Sequence, residues 1–77
     1  MSKLTIISAK DLEKLLHHIG FVRKRQRGSH VFYRHKDGRY TTIPHHKGRD
    51  ISRPLLRQIL NQIRISPEEY LRLLKEI

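Results

Sequence analysis

The stretch of residues 21–44, FVRKRQRGSHVFYRHKDGRYTTIP, decides the fold of this chain. Residues that favour β-strands are interrupted twice by turn residues, first at Gln26-Arg27-Gly28 and then at Lys36-Asp37-Gly38. Connections this short join antiparallel neighbours. The stretch therefore predicts an antiparallel meander with strands at residues 21–25, 30–35 and 39–43, the last of them stopped by Pro44.

Amphipathic helices flank this meander on both sides. Ser8 can cap the first helix, which ends at Gly20. After the meander, Ser52 can cap a second helix and Ser66 a third. The apolar positions of these helices recur at helical spacing and are Ala9, Leu12, Leu15, Leu16 and Ile19 in the first, Leu56, Ile59, Leu60 and Ile63 in the second, and Tyr70, Leu71, Leu74 and Ile77 in the third.

This order of elements, α-β-β-β-α with an extra C-terminal helix, predicts an α+β fold like that of a double-stranded-RNA-binding domain. The helices should pack on one face of a three-stranded antiparallel sheet and leave the other face open to solvent. The chain has 77 residues without an internal repeat or linker, so we expect one domain over residues 1–77. Residues 4–7 could either pair as an edge strand or pack as an extended arm.

The composition excludes several classes of protein. The chain contains no cysteine, which rules out disulfides, cysteine-bound zinc, iron–sulfur clusters and thiol catalysis. No apolar run approaches the roughly 20 residues of a membrane helix, and residues 1–7 lack the apolar core of a signal peptide. We therefore expect a cytoplasmic protein that is a monomer when free and has no membrane partner.

Positive charge is concentrated in the middle of the chain. Its 17 Lys and Arg residues outnumber its 7 Asp and Glu residues, which gives a formal net charge of +10. Between Phe21 and Arg57, eleven basic residues stand against only two acidic ones, Asp37 and Asp50. Segregated positive charge attracts polyanions, and phosphate contacts dominate affinity for nucleic acids. A nucleic acid is therefore the expected partner, although such charge can also serve solubility alone.

Three of the four histidines in this basic segment are candidates for chemistry, whereas His35 precedes the hairpin turn and is expected to be a surface strand residue. His30 follows Gly28-Ser29, and His45-His46 follow Pro44. Metal-free cleavage of RNA needs a base for the 2′-hydroxyl, an acid for the leaving 5′-oxygen and positive charge around the phosphorus. Two imidazoles with neighbouring Lys or Arg side chains could supply all three.

The strand pattern predicts that these histidines lie near one another. His30 opens the second strand and His45-His46 follow the third, so both should lie at the same end of the hairpin. Beside His30, Gly28 would let a ligand approach the backbone, Ser29 would offer a hydroxyl and Arg27 would hold a phosphate. Metal binding is the rival interpretation, but adjacent histidines on an extended chain point to opposite faces.

The direction in which His30 points is open from the sequence. If Phe32 faces the core, the alternation of side chains along a strand puts His30 on that same face, unless His30 escapes at the rim. If Val31 and Tyr33 face the core instead, Phe32 faces outward. Both arrangements place an aromatic residue in the core, so the pattern alone does not choose between them.

Segments throughout the chain resemble the HicA (YcfA-like) toxin family. The resemblance extends from about Ser8 to Tyr70. Its specific element is Gly28-Ser29-His30 followed at this distance by Pro44-His45-His46, a Pro-x-His motif. The matching segments are the helix end Gly20-Phe21, QRGSH at 26–30, YRHKDGR at 33–39, TIPHH at 42–46, KGRDI at 47–51 and LLRQIL at 55–60.

The resemblance implies a small mRNA interferase, a toxin that cleaves RNA and arrests translation. It also implies a double-stranded-RNA-binding-like fold and a partner antitoxin, HicB, that covers the active site. The catalytic histidine of the family is the one in Gly-Ser-His, which falls on His30. The Pro-x-His position falls on His46, to which we assign no firm acid or base role.

Together with the basic segment and its histidines, this resemblance implies a type II toxin that cleaves mRNA without a metal or other cofactor. His30 is the candidate catalytic residue and His46 the candidate second proton-transfer group. The candidate RNA-binding residues are Lys24, Arg27, Gly28, Ser29 and Lys47. Two alternatives remain: a non-catalytic RNA-binding module of the same fold, in which His30 contacts a phosphate, and an adaptor that docks a protein through its sheet.

Overall fold

The computed structural model describes residues 4–77 and contains three helices and one antiparallel sheet with strand order β1-β2-β3. This arrangement confirms the predicted α+β fold and its likeness to a double-stranded-RNA-binding domain. No helix among these residues is long and apolar enough to cross a bilayer. The elements are α1 Ala9–His18, β1 Val22–Arg27, β2 His30–Arg34, β3 Tyr40–Pro44, α2 Arg53–Gln62 and α3 Pro67–Leu74.

β1 begins and ends later than the sequence predicts. Phe21 belongs to the end of α1 rather than to the strand, because it is buried and its backbone N–H donates to the Leu16 carbonyl at 2.9 Å. β1 then continues to Arg27, since only Gly28 and Ser29 connect it to β2. The predicted turn at Gln26-Arg27-Gly28 is therefore wrong by two residues.

The hairpin of β2 and β3 is shifted by one residue from the prediction. β2 ends at Arg34, because the backbone N–H of His35 donates to the Arg39 carbonyl at 2.8 Å and closes the loop between the strands. β3 covers Tyr40–Pro44 instead of residues 39–43. Pro44 fits as its last residue because β3 lies at the edge of the sheet, where a strand can lack a backbone donor.

Alternation along β2 separates a buried face from an open one. Val31 and Tyr33 are buried, whereas Phe32 is half-buried and His30 is exposed. The question left open by the sequence is thus answered by packing: Val31 and Tyr33 face the core, and His30 shares the opposite face with Phe32. This places the candidate catalytic histidine on the solvent side of the sheet.

α1 and α2 cover the inner face of the sheet. Glu13 of α1 accepts a hydrogen bond from the Tyr33 hydroxyl, and Gln62 of α2 accepts one from the Thr41 hydroxyl at 2.6 Å. Helices therefore pack on one face, as predicted. The buried apolar core between the layers comprises Leu4, Ala9, Leu12, Leu15, Leu16, Phe21, Val31, Tyr33, Ile43, Ile51, Leu56, Ile59, Leu60, Ile63, Ile65, Tyr70 and Leu73.

Two of the three predicted helix caps form. The hydroxyl oxygens of Ser8 and Ser66 accept hydrogen bonds from the backbone N–H groups of Asp11 and Glu69, at 3.1 Å each. Ser52 occupies the corresponding position of α2, but its side chain makes no capping hydrogen bond. Pro54, in the first turn, has no backbone N–H to be satisfied, so α2 depends less on such a cap.

α3 packs against the N-terminal arm. Leu4 is buried, and the Tyr70 hydroxyl donates to the Thr5 carbonyl at 2.5 Å. The arm is not a strand of the three-stranded sheet. It pairs instead with the segment before α2, where the Ile51 N–H donates to the Ile7 carbonyl at 2.9 Å and Ser8 forms an isolated antiparallel bridge with Asp50. This orientation of α3 buries Leu73 together with Tyr70, leaves Leu71 and Leu74 half-buried and leaves the predicted Ile77 exposed.

Candidate active site

The open side of the sheet is a grid of nine side chains, which we call the outer face. Antiparallel partners project to the same side, and His30 is paired with Arg27 on β1 and with Pro44 on β3. The outer face contains no acidic residue. Its rows are Arg27-His30-Pro44, Arg25-Phe32-Thr42 and Val22-Arg34-Tyr40.

Arginine dominates the β1 side of this grid. The guanidinium carbon of Arg25 lies 4.6 Å from the centroid of the Phe32 ring, a cation–π contact that fixes both side chains on the outer face. Arg27 and Arg34 are exposed in the rows on either side. An anionic ligand lying across the outer face would therefore meet positive charge in every row.

A two-residue turn sets Arg27 opposite His30. Gly28 has φ +59°, which suits the first central position of a tight hairpin turn. No heavy atom lies within 4 Å of the point where a Cβ would stand on Gly28, so its backbone is open to a ligand. The Ser29 carbonyl accepts a hydrogen bond from the backbone of His45 at 2.7 Å, which confirms that His30 and His45-His46 lie at one end of the hairpin.

The predicted site residues are divided among three depressions. His30 lines a depression of about 260 Å³ beside β3. His46 and Lys47 line a different one, of about 580 Å³, at the start of α1. Lys24 lies in a β-bulge of β1 and lines a third, with Phe32, on the outer face. The structure thus places Arg27, Gly28 and Ser29 directly beside His30, and Lys24, His46 and Lys47 in other depressions.

A polar network on the inner side of the sheet contains His45. The Tyr33 hydroxyl donates to Oε2 of Glu13, and Nε2 of His45 lies 2.8 Å from the same hydroxyl. Arg23 donates to that carboxylate oxygen at 2.8 and 3.0 Å. Because Tyr33 has one hydroxyl hydrogen and gives it to Glu13, Nε2 of His45 must carry the hydrogen of its own contact. Nδ1 of His45 is then the nitrogen that can take up a proton.

Burial and hydrogen bonding shift three pKa values in this network. Burial raises the pKa of Glu13, but hydrogen bonds from Tyr33 and Arg23 outweigh it, so the pKa lies below the ordinary value. Burial, reinforced by the carboxylate of Glu13, raises the pKa of Tyr33. Burial also lowers the pKa of His45, despite the opposing charge of Glu13. His45 is therefore neutral at pH 7, and Glu13 is charged.

Sequence analysis missed this network and one aromatic residue of the outer face. Glu13, Tyr33 and His45 come from separate elements, and no spacing in the sequence links them. Tyr40, by contrast, carried a signal: it lies three positions before the apolar Ile43, so alternation along the strand sends Tyr40 outward when Ile43 faces the core. Its side chain is 68% exposed.

The chemistry offered at the Gly28-Ser29 end is an exposed imidazole with a guanidinium directly across the strand pair. An imidazole can give or take a proton near neutral pH, and a guanidinium can hold a phosphate through two parallel hydrogen bonds. Within residues 4–77, no three His, Asp or Glu side chains converge so that they could hold a metal ion.

Comparison with protein-family models gives a match that covers most of the chain. A family model described as the HicA toxin of bacterial toxin–antitoxin systems matches residues 9–65. The matched region is well over half of the 77-residue chain, and it includes α1, the whole sheet and α2. A comparison with curated proteins found no match.

Proposed function

Because this chain belongs to the HicA family of bacterial toxins, we propose that it is an mRNA interferase that cleaves RNA at the His30 end of the outer face. One observation carries the proposal. The backbone register sets the exposed His30 directly opposite Arg27, beside the open backbone of Gly28. A general acid or base and a phosphate-binding cation therefore stand together at the surface.

The proposed reaction is attack of the ribose 2′-oxygen on the adjacent phosphorus. The 2′-hydroxyl gives up its proton, a 2′,3′-cyclic phosphate forms, and the bond to the 5′-oxygen breaks as that oxygen gains a proton. His30 performs one of these two proton transfers, and His46 is the candidate for the other. Arg27 holds the phosphate and stabilises the charge that develops on its oxygens.

Phosphate contacts supply most of the proposed affinity for RNA. Arg27 binds at the cleaved bond, with Gly28 and Ser29 offering backbone and hydroxyl groups beside it. Lys24 lies farther along the outer face, and Lys47 extends the basic surface on the other side of His46. Such binding weakens steeply as salt is added.

The physiological partner of a toxin–antitoxin family member is an antitoxin. We propose a HicB-type protein with an acidic surface that covers His30 and neutralises the net charge of +10. The toxin acts in the cytoplasm, where mRNA is translated, and is a monomer before it meets this partner. Opposite charges accelerate encounter, so the association rate should fall as salt rises. A rate indifferent to ionic strength would exclude electrostatic steering.

The decisive experiment is cleavage of a labelled mRNA in excess EDTA. The wild type and His18→Ala should both cut, because His18 lies on α1 and contacts Glu76 at 2.8 Å, away from the outer face. His30→Ala should keep its circular dichroism spectrum and bind RNA without cutting it. If folded His30→Ala still cuts, the assignment of His30 is wrong.

A second candidate function is supported by the separation of the histidines. His30 and His46 line different depressions, so neither depression contains both candidate proton-transfer groups. The same surface would then serve a non-catalytic RNA-binding module, with His30 as a phosphate contact. In the EDTA experiment this module would bind RNA as wild type and as each variant, and none of them would cut.

A further inference from the structure

A groove runs along β3, between the edge of the sheet and α2. The depression of about 260 Å³ that His30 lines adjoins another of about 650 Å³, since Tyr40 and Gln62 line both. The second depression reaches Arg64, just after α2. We call the two together the β3–α2 groove, with His30 at one end and Arg64 at the other.

An exposed aromatic ring stands in the middle of the groove. Tyr40 is 68% exposed and belongs to the outer face, two rows away from His30. Tyr40 lies four positions before Pro44, the partner of His30, and four steps along a strand correspond to roughly 13 Å. A base stacked on Tyr40 would therefore lie a few nucleotides from a phosphate at His30.

The α2 wall of the groove adds amide groups suited to base edges. Gln58 and Gln62 are one helical turn apart, and both line the part near His30. Oε1 of Gln62 accepts a hydrogen bond from the Thr41 hydroxyl at 2.6 Å, so the amide nitrogen is the end presented to a ligand. Unstacked bases are read through such hydrogen bonds on their edges.

Arg64 holds an unfavourable backbone conformation at the far end. Its φ is +59°, and it is the one non-glycine residue with positive φ in the part of the chain that the structure describes. It follows α2 at a position that glycine usually fills, since Ile65 donates back to the Leu60 carbonyl at 3.0 Å. A strained arginine where glycine would fit better points to a use for its charge.

The net charge of the groove favours an anion. Asp37 is the acidic residue in its lining, and Oδ2 of Asp37 is paired with Nε of Arg39 at 2.8 Å. Arg64 adds a second guanidinium at this end. The strand residues beside the groove belong to the outer face, which carries arginines and no carboxylate.

We propose that the β3–α2 groove binds single-stranded RNA next to the cleaved bond, with one base stacked on Tyr40 and a phosphate on Arg64. The proposal rests on the proposed ribonuclease function for the placing of the cleaved bond at His30. An aromatic side chain can reach the face of a base only when the base is unstacked, so a duplex cannot use Tyr40 in this way. The ligand class is thus single-stranded rather than double-stranded RNA.

The test measures RNA affinity in full-length protein carrying His30→Ala, so that cleavage does not consume the ligand. The probes are a labelled, unstructured oligoribonucleotide of A and C and a duplex RNA of equal length. Tyr40→Ala should weaken binding of the single strand by roughly 5- to 100-fold, as expected for loss of one stacked base, and leave duplex binding unchanged. Tyr40→Phe should retain the affinity.

Two further variants separate the groove from the rest of the surface. Ile77→Ala removes an exposed apolar side chain beyond α3, outside the outer face, and should leave affinity for the single strand unchanged. Arg64→Ala should reduce the slope of log affinity against log salt by about 0.7, the value for one phosphate contact on a single strand. Arg64→Lys should keep that slope.

Four results decide the matter. Unchanged affinity of Tyr40→Ala for the single strand overturns the proposal, and so does an equal loss on the duplex. If Tyr40→Ala weakens binding of an acidic protein partner but not of RNA, the groove is a protein-docking site and the proposal is again wrong. The last result concerns protein in which His30 is intact. If Tyr40→Ala weakens binding of the single strand but the protein with His30 intact never cuts RNA, the ribonuclease function is wrong and the RNA-binding groove stands.

Discussion

His30 and His45 lie at the same end of the sheet but project from its opposite faces. His30 is paired with Pro44 and is exposed on the outer face. Nε2 of His45 lies 2.8 Å from the Tyr33 hydroxyl, beneath the sheet and beside α1. The two imidazoles therefore cannot act on one phosphate from the same side. His45 instead links the end of β3 to Glu13 through Tyr33, so its titration should affect stability.

Acid should lower the free energy of unfolding in two steps. The pKa of His45 lies below 6.5, so as the pH falls through that value the unfolded chain takes up a proton that the folded chain refuses. The pKa of Glu13 lies below 4.5, so the stability contributed by its charge is present above pH 4.5 and is lost at lower pH. Urea unfolding measured between pH 8 and pH 3 checks both steps.

Variants assign each step to its residue. His45→Phe keeps a ring at this position but cannot titrate, so the upper part of the pH dependence should shrink. Glu13→Gln keeps the shape of the side chain and should diminish the lower part. If both variants kept the wild-type pH profile, the network of Glu13, Tyr33 and His45 would not be the origin of the acid sensitivity.

Tyr33→Phe should cost more stability than Tyr70→Phe. Both rings are fully buried, but the Tyr33 hydroxyl serves a carboxylate and an imidazole, whereas the Tyr70 hydroxyl serves only the Thr5 carbonyl. Hydrogen bonds to charged groups contribute more, so we expect losses of about 2 kcal/mol for Tyr33 and about 1 kcal/mol for Tyr70. If urea unfolding showed equal losses of unfolding free energy for the two variants, the hydrogen bond from Tyr33 to Glu13 would add no extra stability.

Gly20→Ala should destabilise the protein more than Gly38→Ala. The two glycines have nearly the same φ, +101° and +100°, so the backbone strain of an alanine is matched. A Cβ on Gly20 would stand 2.8 Å from Nε2 of His35, which is hydrogen-bonded to the Ile19 carbonyl, whereas a Cβ on Gly38 meets nothing within 4 Å. The extra loss should be about 1–2 kcal/mol, and a comparison of the two melting temperatures measures it.

Arg64→Gly should stabilise the fold while weakening RNA binding. Glycine relieves the positive φ of this position, and we expect a gain of about 0.5–1 kcal/mol, or a rise in Tm of about 2–8 °C. The same change at Arg57, inside α2, should cost about 1 kcal/mol because glycine is unfavourable within a helix. Thermal unfolding checks both signs, and a lower Tm for Arg64→Gly would contradict the assignment of strain.

Arg27→Ala should weaken RNA binding through charge. Arg27 is the cation opposite His30, so its loss should reduce the salt slope for a single strand by about 0.7 and slow cleavage. Arg72→Ala removes an equal charge from α3, where the guanidinium contacts Glu69 at 3.4 Å, and serves as the control. If Arg72→Ala lowered RNA affinity as much as Arg27→Ala, RNA binding would depend only on the net charge of the protein and not on the position of Arg27.

Much of the fold could be predicted because its signals are local. Lys36-Asp37-Gly38 marked the loop between β2 and β3, and the helical stripes located all three helices. The shared position of His30 and His45-His46 at one hairpin end followed from strand direction alone. These features depend on residues that are close in sequence, where conformational preference and periodicity act directly.

The rest depended on contacts between distant residues. β2 turns Tyr33 rather than Phe32 inward, where Tyr33 packs in the core and its hydroxyl reaches Glu13 on α1. Phe21 was predicted to be a strand residue because an apolar side chain suits both a strand and a helix end. Its backbone hydrogen bond to Leu16 in the folded chain shows that it belongs to the helix end. Similarly, His46 and His30 line different depressions because of how the completed fold packs, which the sequence does not show.

Because β1 is exposed, the two halves of the candidate site, Arg27 on β1 and His30 on β2, should differ in how often their strands open locally. All six residues of this strand are exposed, so it contributes no side chain to the core. It is held by its backbone pairing with β2, by the Arg23–Glu13 ion pair and by the contact of Arg25 with the Phe32 ring. Its amides should exchange with solvent through local opening, well before those of β2. Arg27 belongs to β1, whereas His30 belongs to the central strand, β2. Each opening thus takes the cation away from the imidazole without unfolding the protein.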